Sequence, residues 1–254
     1  MVRIAVFDSG LGSLSIIKEI QKISKSEIIY FADQQNFPYG KKSKIQLFKI
    51  IQKSILCLQK NFSPDFIVVA SNTPSLILNL ATRKIIDVKP PLSEAKKISK
   101  TKQIGILATS SAIKSRGLTQ YIKNNNFSKD YKIFRINASS LVEIIESGTF
   151  LTDKKQSQKI IKKLLDPILL PNSIDTITLS STHLPFLKPL LKKEYPNIHF
   201  IDPGNIIAKK IFLKIKNKQT ERNSIKFFAS GNTKIFQTKL NKINIKNKVN
   251  FLSV

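Results

Sequence analysis

The stretch Asp175–Pro185, DTITLSSTHLP, is the part of this 254-residue chain from which the fold is best read. Residues 175–179 form a short apolar run rich in β-branched side chains, and this pattern predicts a buried strand. Three hydroxyl side chains and a histidine follow at 180–183. In open α/β sheets, ligands bind in the crevice outside the carboxyl ends of the strands. The segment 180–183 is therefore a candidate for a functional site.

An earlier strand has a similar polar end. Residues 66–70, FIVVA, form a second apolar run, and they lead directly into residues 71–74, SNTP. The two runs share the order of a buried strand followed by small polar side chains. Two such ends predict two facing halves of the molecule with a ligand held between them.

The rest of the chain repeats the alternation of strand and helix, which predicts parallel sheets covered by helices. We therefore expect an α/β fold of two similar doubly wound lobes with mainly parallel sheets and a ligand cleft between them. Residues 1–95 plus 207–254 are predicted to form the first lobe and residues 96–206 the second. A helix is expected over 76–84. The predicted strands are 2–7, 27–32, 66–70, 103–107, 131–136, 175–179, 198–201 and 225–229.

The formal net charge of +27 raises the possibility of a nucleic-acid-binding protein. However, arginine, which is favoured for phosphate and base recognition, supplies only five of the 43 basic residues. The lysines are scattered among isoleucine and asparagine, and no known nucleic-acid-binding motif is present. We therefore interpret the charge as compositional drift on solvated faces, and nucleic-acid binding remains a third hypothesis.

Other sequence features limit the location and the chemistry of the protein. The apolar runs are too short for a membrane span, and residues 1–10 enter a strand and a glycine turn instead of a signal sequence. A cytoplasmic protein is therefore expected. The single Cys57 and the two histidines, His183 and His199, argue against a disulfide or a metal site.

The first predicted strand leads into a glycine turn, Asp8-Ser9-Gly10-Leu11-Gly12-Ser13, followed by a helical pattern over 14–23. Backbone N–H groups and the helix dipole at such a turn favour a bound carboxylate or phosphate. The glycine spacing lacks the third glycine of the dinucleotide-binding fingerprint. Asp8 is a site candidate here, and its alternative role is that of a helix cap.

Several motifs in order along the chain resemble those of the glutamate racemases, within the wider aspartate/glutamate racemase group that needs no cofactor. The resemblance covers most of the chain and rests on many motifs instead of one. The segments are FDSGLGSLS (7–15), YFADQQNFPYGKKS (30–43), VVASNTPS (68–75), VEIIESG (142–148), LSSTHLP (179–185), DPG (202–204) and FFASGN (227–232).

The resemblance implies interconversion of L- and D-glutamate without a cofactor, which supplies D-glutamate for peptidoglycan and thus for cell wall and cell shape. It implies a homodimer in many members. Racemisation removes the Cα proton on one face and returns a proton on the other, so two acid/base groups are needed on opposite sides. The implied catalytic residues are Ser71, Ser181, Asp8, His183 and Glu146. The implied substrate-binding residues are Asp8, Ser9, Tyr39, Gly40, Asn72, Thr73, Thr109, Thr182 and His183.

The sequence departs from the family at the two catalytic positions. Ser71 and Ser181 stand where the family has cysteines, and a serine hydroxyl is a much weaker acid than a thiol. This leaves two hypotheses, a racemase with impaired activity and an inactive homologue that binds an acidic amino acid or a partner. A deliberately made double mutant is disfavoured because Cys57 remains and other motif positions also differ. These positions are Ser180 for glycine, Leu184 for tyrosine and Ala112 for threonine.

Overall fold

The computed structural model describes residues 2–215 and 220–254, so residue 1 and residues 216–219 of the predicted first lobe lie outside the described residues. The strands are β1 (Arg3–Asp8), β2 (Glu27–Ala32), β3 (Phe66–Val69), β4 (Ile85–Asp87), β5 (Gln103–Ala108), β6 (Lys132–Asn137), β7 (Thr176–Leu179), β8 (His199–Ile201), β9 (Ser224–Ala229) and β10 (Val249–Phe251). They form a six-stranded sheet in the order β10-β9-β2-β1-β3-β4 and a four-stranded sheet in the order β6-β5-β7-β8. Neighbouring strands of both sheets run parallel.

Helices connect the strands and cover the sheets. They are α1 (Ser13–Ile23), α2 (Lys44–Phe62), α3 (Asn72–Leu78), α4 (Leu92–Ile98), α5 (Ser110–Lys114), α6 (Arg116–Asn124), α7 (Ser139–Ser147), α8 (Thr149–Thr152), α9 (Lys154–Leu169), α10 (Lys188–Glu194), α11 (Gly204–Ile215) and α12 (Thr233–Lys242). Short 3₁₀ turns lie at Gln34–Asn36, Tyr39–Lys41 and Leu184–Leu187. No helix among the described residues is both long enough and apolar enough to cross a membrane.

We call the six-stranded sheet with the helices packed on it the first lobe, and the four-stranded sheet with its helices the second lobe. In β1, Ile4 and Val6 belong to one apolar cluster, whereas Ala5 and Phe7 belong to a cluster on the other face. The central strands are therefore buried on both faces, as in doubly wound folds. The expected fold class is confirmed.

The predicted strands are all present, with ends that agree with the prediction to within one residue. The helix expected over 76–84 is wrong in its bounds, because α3 begins at Asn72 immediately after β3 and ends at Leu78. Asn79 then adopts a left-handed backbone with φ of 49°, a common way to end a helix. The chain can therefore turn back early and form β4, which the sequence analysis missed.

Both crossings between the lobes follow from helix packing. Helix α4 packs against β7 and β8 of the second lobe, and α11 packs along α1 of the first lobe. The boundaries after residues 95 and 206 remain predictions. We propose that the first crossing lies just before Leu92 and the second between Ile201 and Gly204, because these positions keep both helices whole.

The strand order identifies where the two lobes can hold a ligand. In the first sheet β1 lies between β2 and β3, and in the second sheet β5 lies between β6 and β7. The chain builds each sheet outward in both directions from a central strand, β1 or β5. Each sheet therefore has a crevice at the carboxyl end of that strand. The segments that follow β1, β3, β5 and β7 meet at these crevices.

Candidate active site

A small polar cavity lies between the two lobes, at the ends of β1, β3, β5 and β7. Its volume of about 50 Å³ is enough for only a few water molecules. The lobes are therefore closed on each other in this structure. The lining residues are Asp8, Ser9, Phe37, Pro38, Tyr39, Gly40, Ser71, Asn72, Thr73, Thr109, Val142, Ser180, Ser181, Thr182 and His183.

The cavity brings together the residues that the sequence analysis selected. Each of the substrate-binding candidates lines it, and so do Ser71 from the first lobe and Ser181 from the second. Glu146 does not line the cavity but lies behind His183, whose Nε2 is 2.7 Å from Glu146 Oε1. Phe37, Pro38 and Val142 also line the cavity, although they were not among the predicted site residues.

Asp8, at the end of β1, is buried and receives hydrogen bonds from both lobes. The Ser9 N–H donates to Oδ1 at 2.6 Å, and the Thr182 hydroxyl of the second lobe donates to Oδ2 at 3.3 Å. Burial raises the pKa of Asp8 above its usual value, although the charge of His183, the Ser9 N–H and the nearby Ser71 hydroxyl oppose the rise.

His183 and Glu146 form a buried pair on the second lobe. Burial lowers the pKa of His183, but the hydrogen bond and charge of Glu146, together with the charge of Asp8, outweigh it and leave this pKa raised. Burial likewise opposes ionisation of Glu146, yet its bonds to His183 and Lys239 lower its pKa to about 2. The arrangement therefore favours the imidazolium form of His183 paired with the Glu146 carboxylate.

The glycine turn after β1 makes room for this pair. A Cβ on Gly10 would lie 2.2 Å from Glu146 Oε1, and a Cβ on Gly12 would lie 2.6 Å from His183 Nδ1. Gly12 has a helical φ of −56°, so it is needed for space and not for backbone freedom. The Leu11 N–H of the turn donates to Glu146 Oε1 at 2.8 Å. A carboxylate thus binds at this turn, as expected of its N–H groups, and it comes from the protein itself.

The loop of residues 33–43 forms another wall of the cavity and is fastened by Asp33. Its carboxylate accepts from the Tyr39 hydroxyl at 3.1 Å, from Asn36 Nδ2 at 2.9 Å and from the Ser230 hydroxyl at 2.8 Å. Gly40 lies against the second lobe, since a Cβ there would lie 2.6 Å from Ser111 Oγ. Asp33 thus holds the loop in place instead of lining the cavity.

Asn72 and Thr73, at the start of α3, also lie at the junction of the lobes. Asn72 Nδ2 donates to the Val88 carbonyl at 2.9 Å, whereas Asn72 Oδ1 is buried without a hydrogen-bond partner in the described part of the chain. The Thr73 and Thr109 hydroxyls lie 3.2 Å apart and join the two lobes. Asn72 therefore presents a free acceptor at the cavity.

A wider cavity of about 340 Å³ adjoins the small one and shares with it Phe37, Pro38, Gly40, Thr109 and Val142. Its outer part is lined by Lys41, Ser110, Ser111, Ser139 and Glu143. The shared residues place this wider cavity next to the strand ends. Within residues 2–215 and 220–254, no group of three or more His, Cys, Asp or Glu side chains could hold a metal ion.

No protein-family model matches the sequence. A glutamate racemase of Persephonella marina is 33% identical over 244 residues, which cover 92% of this chain and 87% of the relative. One from Sulfurihydrogenibium is 32% identical over 230 residues, which cover 87% of this chain and 86% of the relative. The chain belongs to the glutamate racemase family.

Solved structures of glutamate racemases share the fold. That of RacE1 from Bacillus anthracis superposes with a TM-score of 0.85 at 24% identity, over 100% of this chain and 98% of that one. That of the Campylobacter jejuni enzyme has a TM-score of 0.74 at 25% identity, over 97% and 100% of the two chains. The family therefore has the two-lobed architecture described above.

Two further features of the site were not found from the sequence. The space requirement at Gly10 and Gly12 depends on side chains more than 130 positions away. Lys239, whose Nζ lies 2.8 Å from Glu146 Oε2, is one of many lysines and has no local signal that separates it from the others. Both features depend on how the lobes meet, which the local pattern does not encode.

Proposed function

We propose that this protein interconverts L- and D-glutamate by proton transfer at Cα without a cofactor. The observation that carries the proposal is that Ser71 and Ser181, one from each lobe, line the same small polar cavity beside Asp8 and His183. Two proton-handling groups on opposite sides are what inversion of a stereocentre requires. D-glutamate formed in this way would serve peptidoglycan synthesis in the cytoplasm.

On the first-lobe side, we propose that Ser71 exchanges the proton with one face of Cα and that Asp8 assists it. The Asp8 carboxylate lies near the Ser71 hydroxyl in the cavity and would serve as its proton acceptor. The raised pKa of Asp8 makes this carboxylate a better base than an exposed aspartate.

On the second-lobe side, Ser181 would exchange the proton with the other face, close to the His183 imidazolium. In one direction the Ser71 hydroxyl would pass its proton to Asp8 as it takes the Cα proton, and Ser181 would give its proton to the carbanion and take one from the His183 imidazolium. The reverse direction would start from protonated Asp8 and neutral His183 and exchange these roles. The α-amino group would bind the free Asn72 Oδ1, and hydroxyls of Thr73, Thr109 and Thr182 would bind carboxylate oxygens.

We infer that the hydroxyls at positions 71 and 181 occupy the positions of the two family cysteines and make the reaction slow. A thiol has a pKa near 8.5 and is easily tuned to a thiolate, whereas a hydroxyl needs strong help to lose its proton. This same observation favours a second candidate function, a homologue that binds glutamate or another acidic amino acid without turning it over.

Exchange of the α-proton in deuterated water separates the two candidates. We expect slow exchange into L- and D-glutamate with the wild-type protein and an increase of at least 100-fold in Ser71→Cys with Ser181→Cys, since restored thiols are far better proton carriers. Ser157→Cys, which adds a thiol at a buried position of α9 that does not line the cavity, is the matched control and leaves the rate unchanged. Absence of exchange in the wild type, with glutamate still bound, would leave the binding function, whether or not the double variant is active.

A separate test asks whether the high positive charge serves nucleic-acid binding. Negligible retention on heparin at moderate salt is expected, because the lysines are dispersed and arginine is scarce. Strong retention that falls steeply with salt would support nucleic-acid binding. A homodimer, common in the family, is also proposed, and its test is the mass in solution.

A further inference from the structure

Lys239 connects three parts of the molecule at the edge of the site. It lies on α12, which packs on the first sheet through Phe236 and Leu240. Its Nζ donates to Glu146 Oε2 at 2.8 Å, across the boundary to the second lobe. The same ammonium lies 5.6 Å from the centre of the Phe37 ring, which lines the cavity.

The two oxygens of Glu146 have different partners. Oε1 accepts from the Leu11 N–H at 2.8 Å and lies 2.7 Å from His183 Nε2. Oε2 is bound by Lys239. The carboxylate is therefore held at both ends by the first lobe, and this hold fixes the angle at which Oε1 meets the imidazole.

We propose that Lys239 is a positioning residue: its ammonium holds the Glu146 carboxylate so that Oε1 stays on His183 when the lobes are closed. This proposal rests on the proposed function for its role in the reaction. The hydrogen-bond geometry itself does not depend on turnover. Lys239 touches neither the cavity nor the position of a substrate, so it acts through Glu146.

Because Glu146 is buried, its contact with Lys239 stabilises the carboxylate more than a surface ion pair would. Glu146 is 8% exposed and Lys239 27%, so the carboxylate has little water to solvate it. Exposed ion pairs contribute little to stability, whereas a buried carboxylate without partners is strongly disfavoured. The charged or titratable groups that act on Glu146 and His183 here are Lys239, Asp8 and, at longer range, Tyr30.

Loss of positioning and loss of charge change the pKa of His183 in opposite directions. The Lys239 charge alone lowers this pKa, because two cations repel. Removing that charge without moving Glu146 would therefore raise it. If Glu146 instead turns away from His183, the imidazolium loses its main partner and the pKa falls. The sign of the shift thus identifies the role of Lys239.

The experiment is an NMR titration of the imidazole signals in the full-length protein. The chain has two histidines, and His199 on β8 is exposed and serves as the internal reference. We expect Lys239→Met to lower the pKa of His183 by about one unit. Lys239→Arg, which keeps a charged donor, retains most of the wild-type value. Lys234→Met removes the same charge from an exposed position of the same helix and leaves the pKa of His183 unchanged.

An unchanged or higher pKa of His183 in Lys239→Met would overturn the proposal. A second test uses the Glu146→Gln background, in which Lys239→Met should produce no further fall in this pKa. An equal fall there would mean that Lys239 acts on His183 by another route, which also overturns it. Because the titration needs no turnover, a failure of the proposed racemase activity would leave these outcomes readable.

Discussion

The two lobes supply the cavity with different proton chemistry although their strand ends look alike. On the first lobe, Asp8 sits beside Ser71, and burial raises the pKa of its carboxyl group. On the second lobe, Glu146 beside His183 has a pKa lowered to about 2 despite its burial, because it has an imidazolium and an ammonium as partners. One carboxylate is poised to take a proton, and the other is kept ionised.

This difference indicates that the arrangement of the strands does not by itself determine how the two carboxyl groups ionise. Parallel strands with polar ends recur in both sheets, but each side is tuned by residues from elsewhere. Asp8 is bonded by Thr182 of the second lobe, and Glu146 is bonded by Leu11 and Lys239 of the first. Each lobe therefore completes the electrostatic environment of the other, and closure of the lobes assembles both sides together.

The largest expected effect on the rate comes from removing Asp8 or His183, the ionisable group on each side of the cavity, one at a time. In the Ser71→Cys, Ser181→Cys background, Asp8→Asn and His183→Asn should each slow racemisation by about 10²–10⁴-fold, the usual contribution of a positioned acid or base. Because the proposed function assigns the two groups to opposite faces of Cα, the variants should lose α-proton exchange preferentially from opposite enantiomers. Exchange is followed by NMR in deuterated water for each enantiomer. The same preference in both variants would contradict the assignment of one group to each face.

The two carboxylates should also affect stability with opposite sign. The lowered pKa of Glu146 adds stability above its usual 4.5, of the order of 3 kcal/mol, which is lost as the pH falls toward about 2. The raised pKa of Asp8 gives stability that is present below its usual 3.8 and lost as the pH rises through the shifted value. At pH 7 we therefore expect Glu146→Gln to lower the free energy of unfolding and Asp8→Asn to raise it.

Urea denaturation between pH 2 and pH 7 measures both effects. The deficit of Glu146→Gln relative to the wild type should shrink as the pH falls from 4.5 to about 2, because both proteins then carry an uncharged group. The gain of Asp8→Asn should shrink over the acidic range for the same reason. A deficit for both variants at neutral pH would mean that the two carboxylates are alike, and it would remove the basis of the comparison.

A methyl group on Gly12 should disturb the second-lobe side of the site while leaving the fold intact. The added Cβ of Gly12→Ala would lie 2.4 Å from Thr182 Oγ1 and 2.6 Å from His183 Nδ1, so the lobes cannot close fully. We expect the affinity for glutamate, measured by calorimetry, to fall about tenfold or more, since a closed cavity is needed to hold the ligand. Gly105→Ala, within β5, is the control.

In Gly105→Ala the new Cβ would meet Ile177 and Ile136 side chains at 3.0 and 3.2 Å, inside the second sheet. Such overpacking costs about 1–3 kcal/mol of stability, but it lies away from the lobe boundary. Its affinity for glutamate should stay within about twofold of the wild type. Equal losses of affinity in the two variants would mean that general strain, and not closure at Gly12, explains the effect.

The sequence predicted the strands well because parallel strands buried on both faces are continuous apolar runs, as in Phe66–Val69 and Thr176–Leu179. It also located the polar strand ends, since these interrupt the apolar runs abruptly. It failed at α3, where the left-handed Asn79 ends the helix early, because asparagine is tolerated in that conformation without requiring it.

The order of the strands and the contacts between the lobes could not be predicted from local sequence patterns. The role of Gly10 depends on Glu146, and the role of Lys239 depends on the same residue, at sequence distances where no periodicity connects them. Glu146 itself was located through the resemblance to the racemase family, since by local pattern it could equally lie on a solvated helix face. Fold class could thus be obtained from residues alone, whereas the electrostatic partners required coordinates.

The smallest expected effect tests whether the Tyr39 hydroxyl holds the loop of residues 33–43 in place or contacts the ligand directly. Tyr39→Phe removes the hydroxyl that donates to Asp33 Oδ2 at 3.1 Å, while Asn36 and Ser230 still bind that carboxylate. The free energy of unfolding in urea should fall by about 1 kcal/mol, the usual net value of one hydrogen bond.

Tyr131→Phe is the matched control for that change, because its hydroxyl donates to the Lys96 carbonyl at 3.2 Å on the second lobe, far from the cavity. Both variants should lose similar stability, since each loses one hydrogen bond from a tyrosine. They should differ by about threefold at most in the affinity for glutamate, because the Tyr39 hydroxyl points to Asp33 and its ring still lines the cavity. A tenfold or larger loss of affinity in Tyr39→Phe alone would mean that this hydroxyl leaves Asp33 and binds the substrate, and the first-lobe side would then contribute one more polar contact than proposed.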